Sequence, residues 1–229
     1  AHFYAVNSLD DLRQGLKEIG APAILKTRRF GYDGKGQVRI TSPNQAAQAW
    51  ADIGKTPAIL EAIVEFKSEF SVLAVRGQDG QINFWNSPEN YHQDGILRRS
   101  TVPANEEIQR LEPEAQALAT KIMDKLGYIG VAAFEFFACG NQALFNEMAP
   151  RVHNSGHWTI EGAVTSQFEN HIRAICGLPL GDCGLIVDKV VMENLIGDQA
   201  EYCAQYLGDP GVSLHLYGKK QIRQGRKMG

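Results

Sequence analysis

Glu135 and Glu147 carry the strongest chemical signal in the chain. Two apolar runs, residues 131–138 and 143–149, flank a short Cys139-Gly140-Asn141-Gln142 turn, the pattern of a β-hairpin. The two glutamates lie symmetrically about Asn141, so a turn centred there sets their carboxylates directly opposite each other. Opposed residues have Cβ atoms about 4.5–5.5 Å apart, and like charges at that spacing destabilise a sheet. Each glutamate also interrupts an apolar strand, where an unpaired charge is costly. A divalent cation between them resolves both conflicts. Two carboxylates with positions left open for phosphate oxygens suit Mg²⁺. Asn146 points to the opposite face of a regular strand and turns toward the metal only if the strand bends. The alternative is a pair of edge-strand glutamates facing solvent.

The hairpin runs on into Ala149-Pro150-Arg151-Val152-His153-Asn154-Ser155-Gly156-His157-Trp158. A strand ends at a proline and then releases Arg, His, Asn, Ser and His within a few positions. Such a cluster at the end of a metal-bearing strand can read an anionic, hydroxyl-rich ligand. Arg151 supplies a forked donor for phosphate or carboxylate. His153 can donate, accept or move a proton near neutral pH. Capping of the next helix falls to Thr159 or Ser155 before Arg151 or His153.

Two further clusters lie nearer the N-terminus. Arg28-Arg29-Phe30-Gly31-Tyr32-Asp33-Gly34-Lys35-Gly36-Gln37 joins an apolar strand at 23–27, which contains Lys26, to a strand at 38–40. Its glycines let backbone N–H groups approach phosphate oxygens closely, so the loop reads as a flexible phosphate cover flanked by Lys26 and Lys35. No Gly-Lys-Ser/Thr leads into a helix, so it is not a Walker A loop; an ordinary mobile turn is the alternative. A strand at 57–64 continues through residues 65–69 to another at 70–75. A crossover of this kind offers backbone groups to an adenine edge, with Ile63 and Val64 as apolar faces. Glu69 is there either an acceptor for ribose hydroxyls or a solvated loop glutamate. The basic run 218–227 reads as a phosphate clamp or as a solvated basic face.

These residues need elements to hold them. Ser8 caps a first helix that Gly20 stops. A second helix at 44–54 turns Trp50 inward. Asp79-Gly80 makes a hairpin turn before a strand at 82–85, and residues 90–100, with His92, read as a polar loop. An amphipathic helix at 106–126 is closed by Gly127 and feeds the glutamate hairpin. Residues 158–176 contain another helix, ended by Gly177, and 187–195 form a strand containing Met192 and Asn194.

At 229 residues the chain suits one large domain or one and a half ordinary ones. Its net charge of −3 gives no basic field for nucleic acid. No stretch approaches 18 apolar residues, so no membrane span is expected. Cys139, Cys176, Cys183 and Cys203 lack C-x-x-C spacing and are too sparse for a disulfide framework, which fits a reducing cytoplasm. A start at Ala1 and a stop at Gly229 in a basic run suggest a segment of a longer protein.

Together these pieces resemble the ATP-grasp superfamily. Within it the chain is most similar to the N5-carboxyaminoimidazole ribonucleotide synthetases of de novo purine biosynthesis. The resemblance is carried by Phe-Gly-Tyr-Asp-Gly-Lys-Gly-Gln at 30–37, His-Gln-Asp-Gly-Ile-Leu-Arg at 92–98 and Asn-Glu-Met-Ala-Pro-Arg-Val-His-Asn-Ser-Gly-His-Trp-Thr at 146–159. Gln-Phe-Glu-Asn-His at 167–171 and the terminal Gly-Arg-Lys-Met-Gly add to it. It implies an α/β (α+β) class, with two lobes of mostly antiparallel sheet clasping ATP. The lid would span 1–68, a central subdomain 69–180, and the start of a C-terminal lobe 181–229. An N-terminal Rossmann-like domain and a C-terminal end would lie outside the chain.

The implied site follows residue by residue. Lys26 with Gly31, Tyr32, Asp33, Gly34, Lys35, Gly36 and Gln37 resembles the triphosphate grip. Glu61, Ala62, Ile63 and Val64 resemble the adenine hinge, Glu69 the ribose contact and His92 another nucleotide-site residue. Glu135 and Glu147 resemble the Mg²⁺ ligands, with Asn146 beside them. Tyr32, Asp33, Arg151, His153, Asn154, Ser155, Lys219 and Arg226 resemble the pocket for 5-aminoimidazole ribonucleotide and bicarbonate. Arg151, His153 and Lys219 are the implied catalytic groups. The implied partners are small molecules and a second copy in a homodimer. Two rivals stand beside this reading. One is another ATP-grasp ligase of the glycinamide ribonucleotide transformylase or biotin carboxylase type. The other is a nucleotide-binding module without turnover.

Overall fold

The computed structural model describes residues 2–29 and 36–229. Its first elements are β1 (Phe3–Val6), α1 (Leu9–Ile19), β2 (Ala23–Thr27), β3 (Gln37–Ile40), α2 (Ala46–Asp52) and β4 (Ala58–Ala62). Ser8 caps α1 as expected: its Oγ accepts from the Asp11 N–H at 3.1 Å. The four strands make one antiparallel sheet in the order β1-β4-β2-β3. Leu12, Leu16, Leu25, Leu60 and Trp50 close a small core between that sheet and the two helices. β2 and β3 flank the glycine-rich segment, with Lys26 paired to Gln37 and the Thr27 N–H donating to the Gly36 carbonyl at 2.8 Å.

The chain divides into two units, residues 1–65 and 66–229. The second unit contains β5 (Ser68–Arg76), β6 (Ile82–Phe84), β7 (Glu89–Gln93), β8 (Ile96–Val102), α3 (Glu106–Leu126), β9 (Gly130–Cys139), β10 (Gln142–Ala149), α4 (Thr159–Gly162), α5 (Gln167–Ile175) and β11 (Val190–Glu193). Its strands form an antiparallel sheet, β10-β9-β5-β7-β8-β11, with β6 beside β5. The chain is thus mixed α/β with antiparallel sheets, as expected. No helix among the described residues is long and apolar enough to cross a membrane. All four cysteines are free.

Residues 90–100 are not a polar loop. They are a hairpin, β7 and β8, turned at Asp94-Gly95 with φ of 55° and 72°. Asp-Gly supplies the two positive φ values that a tight hairpin turn demands, and that signal outranks the polar composition of the flanks. The strand expected over 187–195 shortens to β11, leaving Asn194 just beyond its end.

The two faces of the large sheet differ. On one, Phe70, Val72, Ala74, Ala132, Phe134 and Phe136 pack against Ile108, Leu111, Ala115, Ala119 and Met123 of α3. That helical set recurs at spacings of three and four, the stripe of an amphipathic helix. On the other face Leu73, Val75, Val131 and Ala133 pack with Trp158 and Ala174. Alternation along the strands then brings Glu69 and Ser71 of β5 and Glu135 of β9 to this second face, where it turns polar.

Candidate functional site

The opposed carboxylates exist, and the way they become opposed is informative. The turn is centred between Gly140 and Asn141, because Gln142 pairs with Cys139 and Phe145 with Phe136. Gly140 takes φ of 60°, the positive value that a glycine-first two-residue turn requires. Continued unbroken, that register would set Asn146 opposite Glu135. Instead the register shifts between Phe145 and Glu147, and Glu147 pairs with Glu135. Asn146 is the extra residue of a β-bulge, a local bend of the strand next to Glu147.

Glu135 is almost enclosed, with 14% of its side chain exposed. Burial first, then the charge of Glu147, pushes its carboxyl from 4.5 up to about 7, against opposing pulls from His92 and Lys227. His153 Nε2 stands 3.5 Å from Glu135 Oε1. Burial, reinforced by Arg151 and Lys227, lowers that imidazole to about 3, so the ring is neutral near pH 7. The Glu135–His153 contact is therefore a polar contact and not an ion pair. The Ser155 N–H donates to His153 Nδ1 at 3.3 Å, which makes Nδ1 the acceptor and places the ring proton on Nε2, facing Glu135.

The loop that carries His153 is gripped from below. Gln167, fully buried at the start of α5, accepts from the His153 N–H at 2.9 Å and donates to the His153 carbonyl at 2.7 Å. Thr159 Oγ1 donates to the Gly156 carbonyl and accepts the Gln167 N–H. A Cβ on Gly156 would lie 2.6 Å from Gln167 Oε1, so a larger residue there must displace the Gln167 amide. Two further residues of the motif at 167–171 make structural contacts. Asn170 accepts from the Gly181 N–H, and His171 Nδ1 accepts from the Val131 N–H at the start of β9.

Glu69, on the same polar face, meets a second histidine. His92 Nδ1 is 3.1 Å from Glu69 Oε2. Burial lowers the pKa of His92, but Glu69 and then Glu135 outweigh it, and the net shift is upward. Ser71, paired with Glu135 across β5 and β9, accepts from Asn90, whose carbonyl takes the Ser100 hydroxyl. Lys219 Nζ donates to the Lys227 carbonyl and lies 5.2 Å from the centre of the Tyr217 ring. Arg226 donates to the Gln221 carbonyl, and exposed Arg151 to the neighbouring Val152 carbonyl. In the first unit, Lys26 forms an ion pair with Glu61 at 2.6 Å, and Ala62 ends β4 ahead of Ile63 and Val64. Gly31, Tyr32, Asp33, Gly34 and Lys35 lie outside the described residues.

Two contributors escape a sequence reading. Lys227 is distant in sequence, yet its charge acts on Glu135, His92, His153 and His157. It belongs to the basic terminal run, which gave no reason to choose it over its neighbours. Gln167 acts through backbone contacts fourteen residues away, which no local spacing reveals.

Among the described residues no group of three or more His, Cys, Asp or Glu forms a metal cluster. Two carboxylates with a bulged amide beside them are nonetheless the oxygen-rich, ligand-poor set that Mg²⁺ accepts, since it keeps positions for water and phosphate.

Known proteins resemble this chain over nearly its whole length. Residues 1–168 match the ATP-grasp domain, and residues 190–229 match the phosphoribosylaminoimidazole carboxylase C-terminal domain. An N5-carboxyaminoimidazole ribonucleotide synthase of Brucella melitensis is 50% identical over 227 residues, covering 98% of this chain and 62% of its own. The N5-carboxyaminoimidazole ribonucleotide synthetase structure from Thermus thermophilus superposes with a TM-score of 0.88 at 48% identity, over 99% of this chain and 61% of that one. An Aspergillus clavatus N5-carboxyaminoimidazole synthase in complex with ADP and 5-aminoimidazole ribonucleotide gives 0.89 at 30% identity, over 100% and 62%. The chain spans about three fifths of the length of these relatives. With its antiparallel sheets, its opposed carboxylates and a match that runs through residue 168, the chain belongs to the ATP-grasp domain family.

Proposed function

We propose that this chain forms the nucleotide- and acceptor-binding part of an ATP-dependent carboxylase acting on 5-aminoimidazole ribonucleotide. The observation that carries the reading is the Glu135–Glu147 pair, brought into register by the Asn146 bulge and followed directly by the loop bearing Arg151, His153 and Ser155. The reaction has two stages. A bicarbonate oxygen attacks the γ-phosphorus of ATP; ADP leaves, a proton is released, and carboxyphosphate forms. The exocyclic amine of the ribonucleotide then attacks the carboxyl carbon of carboxyphosphate, or CO₂ released from it in place. The C–O bond to phosphate breaks, and the amine proton leaves on that phosphate.

Phosphoryl transfer asks the protein mainly for positioning and charge neutralisation. Lys26, now paired with Glu61, is the triphosphate cation of the first unit, together with the 31–37 segment. Glu61 to Val64 are assigned to adenine, and Glu69 and His92 to the nucleotide. Glu135 and Glu147, with Asn146, would hold Mg²⁺, which when bound neutralises phosphate charge. The neutral His153 ring and the Arg151 fork suit placement of bicarbonate. With its pKa near 3, His153 is a better hydrogen-bond donor than proton acceptor. Asn154, Ser155, Lys219 and Arg226 are assigned to the acceptor, whose phosphate suits the basic C-terminal segment. A cytoplasmic homodimer completes the proposal, on the family resemblance.

The test supplies labelled bicarbonate, ATP and the ribonucleotide to the complete natural protein. Label should enter the ribonucleotide only when ATP is present. Label entering another acceptor, or none, would overturn the assignment.

A further inference from the structure

We infer that Asn194 is a positioning residue for the acceptor site, locking the His153–Ser155 loop through a reciprocal amide pair with Asn154. The inference rests on the carboxylase reading above and adds a residue to it. Asn194 Nδ2 donates to Asn154 Oδ1 at 2.7 Å, and Asn154 Nδ2 donates back to Asn194 Oδ1 at 2.8 Å. The second hydrogen of Asn194 Nδ2 goes to the Leu97 carbonyl at 3.0 Å. That carbonyl accepts only, so it dictates which end of the Asn194 amide is nitrogen, and Asn194 in turn dictates the orientation of Asn154. Asn194 is 5% exposed, so its amide is shielded from competing water.

Three segments cross at this residue. The Asn194 N–H donates to the Arg98 carbonyl at 2.9 Å, close to the register shift in the β7–β8 hairpin that carries His92. Asn154 stands between His153, beside Glu135, and fully buried Ser155. One residue on, Leu195 exchanges backbone hydrogen bonds with Gly229 and Met228, and the Tyr217 N–H donates to the Met228 carbonyl. The side chains repeat that connection. Tyr217 Oη and Asn154 Nδ2 both approach His157 Nδ1, at 3.0 and 3.4 Å, and Lys219 lies against the Tyr217 ring. Asn154 is thus held by protein through Asn194 on one side and the His157–Tyr217 pair on the other. Asn194 touches no reacting atom; it sets where Asn154, His153 and Ser155 stand.

Asn194→Asp keeps the shape but sets a carboxylate against the Leu97 and Asn154 carbonyl oxygens. The test is steady-state kinetics of the complete natural protein, varying ATP and 5-aminoimidazole ribonucleotide separately, for Asn194→Asp, Asn154→Ala and the double variant. We expect the KM for the ribonucleotide to rise about tenfold, one lost buried interaction, while the KM for ATP stays within about twofold. The double variant should lose no more than the worse single variant, because the pair acts as a unit. If Asn194→Asp does not fold, uncharged Asn194→Ser carries the same measurement. Equal changes in both KM values, an unchanged ribonucleotide KM, or additive losses would overturn the inference while leaving the carboxylase reading standing. A wild type with no ribonucleotide-dependent turnover would overturn both.

Discussion

A carboxyl that is buried and faces another carboxyl holds its proton longer than an exposed one. Glu135 binds its proton more tightly in the folded chain than in the unfolded one, with a pKa near 7 against 4.5. Its contribution to stability is therefore fully present below about pH 4.5 and is lost as pH rises through 7, a difference of roughly 3 kcal/mol. His153 runs the other way. Lowered from 6.5 to about 3, it favours folding above 6.5 and loses that contribution as pH falls. The two trends partly cancel in the wild type, so the comparison with Glu135→Gln isolates the carboxyl. Near pH 4 the variant and the wild type should melt alike. At pH 8 without divalent metal the variant should melt several degrees higher, at roughly 2–4 °C per kcal/mol for a chain of this size. Added Mg²⁺ should raise the wild-type Tm and leave the variant unmoved. A Tm difference independent of pH would contradict the assignment. At this scale the sequence was readable where a residue type conflicted with its surroundings, as Glu135 does among Phe134, Phe136 and Ala138. It was mute on Lys227, whose importance is purely spatial.

Elements hold those residues through contacts that local pattern only partly foretells. α1, α3 and the β9–β10 hairpin were legible because caps, apolar period and a short turn agreed with one another. The hairpin register was legible for the wrong detail. The turn sits half a residue earlier than symmetry about Asn141 implied, and a bulge at Asn146 restores the pairing. A bulge has no strong composition, so it emerges only from the balance between the turn and the packing beyond it. The β7–β8 hairpin was missed although Asp94-Gly95 announced it, because a strand as polar as β7 lacks the apolar alternation that marks ordinary ones. Gly156 tests how the 153–157 loop is held. Gly156→Ala would press a methyl group to 2.6 Å from Gln167 Oε1 and push Gln167 off the His153 backbone. The expected cost is about 1–3 kcal/mol of stability by chemical denaturation, with a loss of ribonucleotide-dependent turnover larger than any loss of ATP binding. Unchanged stability and turnover would show that Gln167 does not fix the loop.

On the scale of the whole chain, two units each carry their own antiparallel sheet and core, dividing between Glu65 and Phe66. Sequence reading reached the class of fold and both strand systems, since each unit buries its own amphipathic helices. The family likeness extends through the C-terminal match at 190–229, where the chain carries β11 and a 3-10 helix at Gly197–Gly208 and is held by backbone pairing around Leu195 and by the Tyr217–His157 contact. Such a segment offers little period to read; beyond the strand over 187–195 and the basic run 218–227, its residues entered the sequence argument through motif resemblance. The central claim is that the nucleotide chemistry of this family is coupled here to one acceptor. The most direct test is phosphate release from ATP by the complete natural protein in bicarbonate, with and without 5-aminoimidazole ribonucleotide. Strong stimulation by the ribonucleotide, with matching loss of its free amine, is the result this account predicts; nucleotide binding without any stimulation would contradict it.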